Sequence, residues 1–209
     1  MKIAAIMSSG GLNQGNDFIN FGGQTVVERL NPESEIEYFE FYDSCLPQWK
    51  TGEIFTQSTI NYIKNNFDVI YMFQGSGGSP MIRDYVFKPI NNIGLPIVVL
   101  GLGCGGIYDS SEMQAMNDIH NLSNVKKLIT RDSKAYGFLE DTTKAYSGID
   151  LAFFAKDTIK PRKENSGANY AVVNYEPHGL PTELSGAYDL KKQLEEHYDP
   201  VYIVENNVN

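Results

Sequence analysis

Residues 68–80, DVIYMFQGSGGSP, carry the pattern that decides the fold. The apolar run from Asp68 to Phe73 predicts a strand buried on both faces, and the glycines after it predict a tight loop that opens a helix. Residues 96–106, PIVVLGLGCGG, repeat this arrangement. Because strands of this kind are joined through helices into sheets covered on both sides, we predict a doubly wound α/β fold with a mostly parallel sheet.

The alternation of apolar strands and helical stretches continues on both sides of these residues. Strands are predicted over 3–7, 36–41, 68–73, 96–101 and 125–130. Helices are predicted over 19–30, 54–67, 80–92, 110–122 and 132–139. The repetition predicts one Rossmann-like domain over residues 1–155.

The pattern changes near Lys156. Residues 156–168, KDTIKPRKENSGA, are polar and include a proline and a Ser-Gly pair, which predicts a linker or a long surface loop. Residues 169–209 then read as one β-α-β unit, with strands at 171–174 and 201–204 and a helix at 184–198. This unit either extends the first sheet or is the stub of a second half.

Composition excludes several classes of function. The 209 residues carry a formal charge of −9, which excludes broad electrostatic binding to nucleic acid or to anionic lipid but leaves room for a local cationic pocket. Two cysteines cannot form a disulfide framework and favour a reducing compartment. The apolar runs are too short for a signal segment or a membrane span, so we expect a soluble, cytoplasmic protein.

Three glycine-rich loops, at 8–16, 74–80 and 101–107, each follow a predicted strand. Ligands of open parallel sheets bind beyond the carboxyl ends of the strands, where glycines admit the ligand and helix N–H groups favour an anion. The loops therefore predict a phosphate or carboxylate pocket, although parallel sheets also need tight turns for packing alone. None of the three has the dinucleotide or P-loop spacing.

Polar residues beside these loops have both functional and structural interpretations. The segment Asn13–Asn16 is either an amide-lined binding loop or a plain helix cap. Arg131 is either a cation at the carboxyl edge of the sheet, where an anion could bind, or a plain surface arginine, which is the more common case. Asp132 would cap the next helix. His178 is the histidine best placed for acid–base chemistry, although loop histidines are more often inert.

Cys104 follows a predicted strand within a glycine turn, as the nucleophile of an amidotransferase elbow does. Leu102, however, occupies the place where the elbow needs glycine. The alternative is a small buried cysteine in a tight turn. No cluster of cysteine, histidine or carboxylate residues has metal-ligand spacing, so we predict no metal site.

Five segments in order resemble the polysaccharide pyruvyl transferase family. They are NQGNDFI (13–19), VIYMFQGSGGSP (69–80), PIVVLGLGCGG (96–106), VKKLITRDSKAYGFLED (125–141) and SGIDLA (147–152). The order and spacing agree over about residues 1–155 and more weakly to the end. The resemblance implies two Rossmann-like halves of a glycosyltransferase-B-like architecture, with an active site in the cleft between them.

That family transfers a pyruvyl group from phosphoenolpyruvate to two hydroxyls of a sugar or glycan, which forms a pyruvate ketal. Phosphoenolpyruvate is the donor substrate, and no cofactor is implied. We expect the catalytic groups to be Arg131, Asp132 and His178. The expected substrate-binding residues are Asn13, Gly15, Asn16, Gly75, Ser76, Gly77, Gly78 and Arg131.

Members of the family continue through a complete second half, whereas here one unit stands in its place. A partner chain in a homodimer is one way to complete the cleft. Two alternatives stay open: a non-catalytic or vestigial domain that binds a sugar or an anion, and an amidotransferase-like hydrolase that depends on Cys104. The expected partners are a small-molecule donor and a sugar or glycan acceptor, without nucleic acid.

Overall fold

The structure, a computed structural model, describes residues 1–8, 14–41, 55–75, 78–104, 109–157, 171–175, 181–199 and 201–205. The chain divides into two compact units, Met1–Lys160 and Pro161–Asn209. The predicted boundaries at 1–155, 156–168 and 169–209 stay predictions.

The first unit is built on a parallel sheet of six strands. The strands are β1 (Lys2–Ser8), β2 (Glu35–Phe41), β3 (Val69–Phe73), β4 (Ile97–Leu102), β5 (Val125–Thr130) and β6 (Ala145–Ser147). Their order across the sheet is β2-β1-β3-β4-β5-β6, and every neighbouring pair is parallel. The predicted α/β fold with a Rossmann-like parallel sheet is therefore confirmed.

Helical segments connect the strands and cover both faces of the sheet. They are α1 (Gln14–Leu30), α2 (Gln57–Asn66), α3 (80–91), α4 (Ser110–Asn121), α5 (Ser133–Tyr136) and a 3₁₀ helix (Leu151–Asp157). Within α3, residues Arg83–Phe87 form a π-helical turn. Ser79 caps α3 by accepting a hydrogen bond from the backbone N–H of Ile82, and Pro80 occupies its first turn.

Each face of the sheet has its own apolar core. On one face, Ile63 of α2, Phe87 of α3 and Ile119 of α4 pack on the strands. On the other face, Val27 of α1 and Leu151 of the 3₁₀ helix pack on the strands. Full burial of a large apolar side chain stabilises a fold by about 1.5–3 kcal/mol. The two apolar layers therefore hold the strands in place from both sides of the sheet.

A pair of glycines lets α1 pack very close to its neighbours. A Cβ atom at Gly23 would lie 2.5 Å from the ring of Phe73, and one at Gly22 would overlap the backbone carbonyl of Leu151. Glycine inside a helix costs about 1 kcal/mol relative to alanine. The close approach of α1 to β3 and to the 3₁₀ helix explains why glycine occupies both positions.

An ionic cluster joins α3 to α4. Arg83 donates to Asp84 at 2.8 and 2.7 Å and to Asp118 of α4 at 2.5 Å. Lys88 also contacts Asp84, at 2.7 Å. Hydrogen bonds from Arg83 and then Lys88 hold the pKa of the Asp84 carboxyl below its ordinary value, so this carboxylate stays ionised at neutral pH.

Two short elements of the first unit were not predicted from the sequence. Strand β6 has three residues, of which only Ala145 is buried, so it shows no period that a pattern could reveal. The 3₁₀ helix is too short for a helical period as well. The helix predicted over 132–139 ends at Tyr136, and the chain continues in tight turns through Phe138 and Leu139.

The second unit contains β7 (Ala171–Tyr175), α6 (Pro181–Leu194) and β8 (Val201–Glu205). The two strands pair in parallel and form a sheet of their own, separate from the six-stranded one. The strands and the helix that the sequence predicts for this segment are present.

Replacing Gly22 by alanine tests the close approach of α1. We expect Gly22→Ala to lower the free energy of unfolding by about 1–3 kcal/mol, because overpacking against a backbone carbonyl outweighs the gain in helix propensity. Urea denaturation measures this change. The matched control is Gly137→Ala, where φ is −65° and the nearest atoms lie at 3.4 and 3.5 Å, so the expected change is within about 0.5 kcal/mol. Equal stability of both variants would contradict the packing described.

Candidate functional site

The candidate site lies at the carboxyl edge of the six-stranded sheet. Strand order reverses between β1 and β3, and crevices at such reversals bind ligands in open α/β sheets. The first turn of α1 and the loops after β3, β4 and β5 lie at this edge, because each follows the carboxyl end of a parallel strand.

The loops after β3 and β4 form one hydrogen-bonded unit. The backbone N–H of Gln74 donates to the carbonyl of Leu100 at 2.9 Å, and that of Gly103 donates to the carbonyl of Gly75 at 2.7 Å. The N–H of Gly78 then donates to the carbonyl of Gly103 at 2.7 Å. The parallel pairing of the two strands therefore continues into the glycine loops and fixes their relative positions.

Glycine is needed at these positions for steric reasons. A Cβ atom at Gly75 would lie 2.7 Å from Cδ1 of Ile19, and one at Gly78 would lie 2.5 Å from the sulfur of Met116. Gly101 has a φ of 75°, a left-handed conformation that favours glycine, and lies at a register shift in β4. These glycines therefore allow tight packing at the ends of β3 and β4.

Arg131 lies directly over the glycine loop that follows β4. Its backbone N–H donates to the carbonyl of Leu102 at 3.1 Å. A Cβ atom at Gly103 would lie 2.6 Å from Cδ of Arg131. The guanidinium donates to the carbonyl of Cys104 at 3.5 Å and to the carboxylate of Asp132 at 3.3 Å, and the side chain is 24% exposed. A cation is therefore held at the sheet edge with part of its surface open to solvent.

Asp132 is engaged by its neighbours through both carboxylate oxygens. One oxygen accepts the backbone N–H of Ala135 at 2.7 Å and caps α5, as the sequence predicts. The other accepts from Arg131. The buried hydroxyl of Thr130 donates to the backbone carbonyl of Asp132 at 2.9 Å. These contacts fix the carboxylate beside Arg131, and its catalytic role stays a prediction.

The first turn of α1 reaches the same edge. Gly15 is exposed and Asn16 is half-buried in that turn. Ile19 lies one turn further along α1 and packs against Gly75, where an added Cβ atom would lie 2.7 Å from its Cδ1. Since Gly75 is bonded to Gly103, a continuous set of contacts runs from α1 through both glycine loops to Arg131.

The predicted site residues divide into two groups. The described ones that lie at this edge are Gly15, Asn16, Gly75, Gly78, Arg131 and Asp132. The others, Asn13, Ser76, Gly77 and His178, lie outside the described residues. Their roles stay predictions.

Cys104 has the environment of a structural cysteine. Its side chain is 0% exposed. Burial raises the pKa of the thiol to about 11, and the carboxylates of Glu112 and Asp132 act in the same direction. Reactive cysteines are accessible and have lowered pKa values, so both observations weigh against the hydrolase alternative and favour a buried cysteine in a tight turn.

One polar residue at this edge was missed from the sequence. Gln74 directly follows β3 and is only 5% exposed. Its amide nitrogen has no hydrogen-bond partner within the described part of the structure. A polar residue placed between a fully apolar strand and a glycine loop is a signal that could have singled it out.

The part of the chain that the structure describes shows neither a metal-binding cluster nor a membrane-spanning helix. Among the residues that the structure describes, no three histidine, cysteine or acidic side chains are grouped to hold a metal ion, and the expectation of no metal site stays a prediction. Within the same part of the chain, the helices are too short or too polar to cross a bilayer.

Neither a protein-family model nor a curated protein matches the chain. It is similar to the periplasmic ribose ABC transporter of Conexibacter woesei, with a TM-score of 0.32 and 14% identity over 98% of this chain and 53% of that one. For the lipopolysaccharide outer core galactosyltransferase WaaB the TM-score is 0.45 and the identity 11%, over 97% of this chain and 60% of that one. For the E. coli heptosyltransferase WaaC the TM-score is 0.31 and the identity 10%, over 98% of this chain and 76% of that one.

This chain thus spans less than two thirds of the ribose transporter and of the galactosyltransferase. Because the three TM-scores are below 0.5, the fold assignment rests on the sheet topology itself.

The burial of Cys104 can be tested by alkylation. We expect iodoacetamide at pH 7.5 to leave Cys104 of the folded protein unmodified, because the side chain is inaccessible and its thiolate fraction is about 100-fold below that of a free cysteine. Peptide mass spectrometry measures the modification at this residue. The control is the same reaction in concentrated urea, where Cys104 should be modified completely. Rapid alkylation of Cys104 in the folded protein would contradict the burial.

Proposed function

We propose that the protein binds phosphoenolpyruvate at the carboxyl edge of its six-stranded sheet and transfers the pyruvyl group to a sugar or glycan. The observation that supports this proposal best is the position of the Arg131 guanidinium, over a glycine loop that is hydrogen-bonded to a second glycine loop. The sequence resemblance to pyruvyl transferases supplies the identity of the donor.

The edge suits a small acid with two anionic groups. A guanidinium makes charge-assisted hydrogen bonds to phosphate and carboxylate oxygens, and these bonds are the strong ones. Glycine loops bring backbone groups close to a ligand. The whole chain carries a formal charge of −9, so a cation held at this edge gives an anion a local attraction that opposes the net repulsion of the protein.

The proposed reaction consumes one phosphoenolpyruvate and two hydroxyls of the acceptor. A general acid protonates the methylene carbon, and positive charge develops at the carbon that bears the phosphate. One hydroxyl oxygen attacks that carbon and loses its proton, the C–O bond to phosphate breaks, and the second hydroxyl oxygen attacks in the same way. The products are a pyruvate ketal and inorganic phosphate; of the two hydroxyl protons, one replaces the proton used by the acid and the other leaves with the phosphate.

The roles proposed for the residues follow from this scheme. Arg131 holds the anionic oxygens of the donor and stabilises the leaving phosphate. Asp132 and His178 are proposed for the proton transfers. The residues proposed to contact the donor are Asn13, Gly15, Asn16 and the loop 75–78. In a homodimer, the partner chain is proposed to supply further contacts to the acceptor.

One observation favours a second candidate, a domain that binds a small acid without turnover. Both oxygens of Asp132 already have partners within the fold, at Ala135 and at Arg131. A carboxylate held in this way orients the arginine and caps a helix without any need for proton transfer.

Turnover separates the two candidates. We expect incubation with phosphoenolpyruvate and a panel of sugars to release inorganic phosphate and to form a ketal that mass spectrometry and NMR detect. Binding of phosphoenolpyruvate without phosphate release would favour the non-catalytic domain. If phosphoenolpyruvate does not bind at all, the pyruvyl transfer proposal is wrong.

The contribution of Arg131 can be measured by calorimetry. We expect Arg131→Ala to weaken phosphoenolpyruvate binding by about 1–3 kcal/mol, which is the range for a lost charge-assisted hydrogen bond. The matched control is Arg29→Ala, which removes the same charge from the last turn of α1, at the opposite edge of the sheet. Unchanged affinity in Arg131→Ala, or an equal loss in both variants, would remove Arg131 from the site.

A further inference from the structure

The amide of Gln74 is a buried donor that the fold leaves unused. Its backbone is held in the sheet by the hydrogen bond from its N–H to Leu100. The residue is 5% exposed, and its buried Nε2 has no hydrogen-bond partner among the described residues. Buried polar groups in native proteins are nearly always hydrogen-bonded, so an unsatisfied donor calls for a specific explanation.

The position of Gln74 suggests that explanation. It is the first residue after β3, the strand that borders the reversal of strand order. The next residue, Gly75, begins the loop that is bonded to Gly103, over which Arg131 lies. The unused donor is therefore at the start of the loop where the ligand is proposed to bind.

Gln74 and Arg131 approach this edge from different faces of the sheet. In β3, Met72 and Phe73 pack into opposite cores, so alternation places Gln74 on the side of Met72. In β5, Leu128 packs into the same core as Met72 and Ile129 into the other, which places Arg131 on the opposite side. The two side chains therefore flank the strand ends from opposite sides of the sheet, where the ligand is proposed to lie.

We infer that Gln74 is a ligand-binding residue whose Nε2 donates a hydrogen bond to a carboxylate or phosphate oxygen of the acid bound at this edge. An N–H donor without a partner selects an oxygen acceptor, and an anionic oxygen is the strongest acceptor available to it. The identity of the acid as phosphoenolpyruvate rests on the proposed function. The presence of a donor for an anionic oxygen rests on the geometry of Gln74 itself.

The test is Gln74→Met, which keeps the length of the side chain and removes the donor. Removal of an unsatisfied buried amide should leave the melting temperature of the ligand-free protein equal or higher. The same change should weaken binding of phosphoenolpyruvate about 10- to 100-fold by calorimetry. The control is Gln57→Met, at an exposed glutamine whose Nε2 donates to Asn61 at 3.0 Å, for which affinity should not change.

Parallel titrations with inorganic phosphate and with pyruvate show which anionic group Gln74 contacts, and they separate this inference from the proposed function. If Gln74→Met binds phosphoenolpyruvate as the wild type does, or if its melting temperature falls, the inference is wrong while the proposed function stands. If the wild type binds phosphate or pyruvate but not phosphoenolpyruvate, and Gln74→Met loses that binding, the proposed donor is wrong and the inference stands. If the wild type binds none of the three, both are wrong.

Discussion

The pairing of the loops after β3 and β4 is the constraint on which the candidate site depends. Three backbone hydrogen bonds, at Gln74, Gly103 and Gly78, extend the parallel ladder beyond the strands. A side chain at Gly75, Gly78 or Gly103 would collide with Ile19, Met116 or Arg131, so glycine at these three positions allows the close packing around the bonds. The contacts that pack the two loops against each other and against their neighbours therefore determine where the guanidinium of Arg131 lies.

Much of the fold could be predicted because its central strands, β1, β3 and β4, are buried on both faces. Continuous apolar runs such as 68–73 and 96–101 clearly indicate buried strands. In the helices between them, apolar residues recur at helical spacing. The ends of elements were harder to predict. Strand β6 and the 3₁₀ helix are held by contacts with distant parts of the chain, such as the approach of Leu151 to Gly22, and such contacts leave no local pattern.

The candidate site could be predicted in outline and not in detail. Glycine loops after strands and Arg131 after β5 predicted residues that the structure places at one edge of the sheet, and an anion bound there stays a prediction. The double engagement of Asp132 and the burial of Cys104 depend on distances that a sequence does not contain. Gln74 was overlooked because glutamine is a common surface residue, and only its burial without a partner makes it unusual.

The ionic cluster of Arg83, Asp84 and Asp118 has a consequence beyond the stability of the helices it joins. Helix α3 begins after the glycine loop that follows β3, and α4 begins after the glycine loop that follows β4. The hydrogen bond from Arg83 to Asp118 therefore links the two helices behind these loops. A ligand that contacts both loops gains affinity when they are already ordered, because less conformational entropy is lost on binding. Under the proposed function, Arg83 and Asp118 would in this way raise the affinity for the ligand from a position behind the loops.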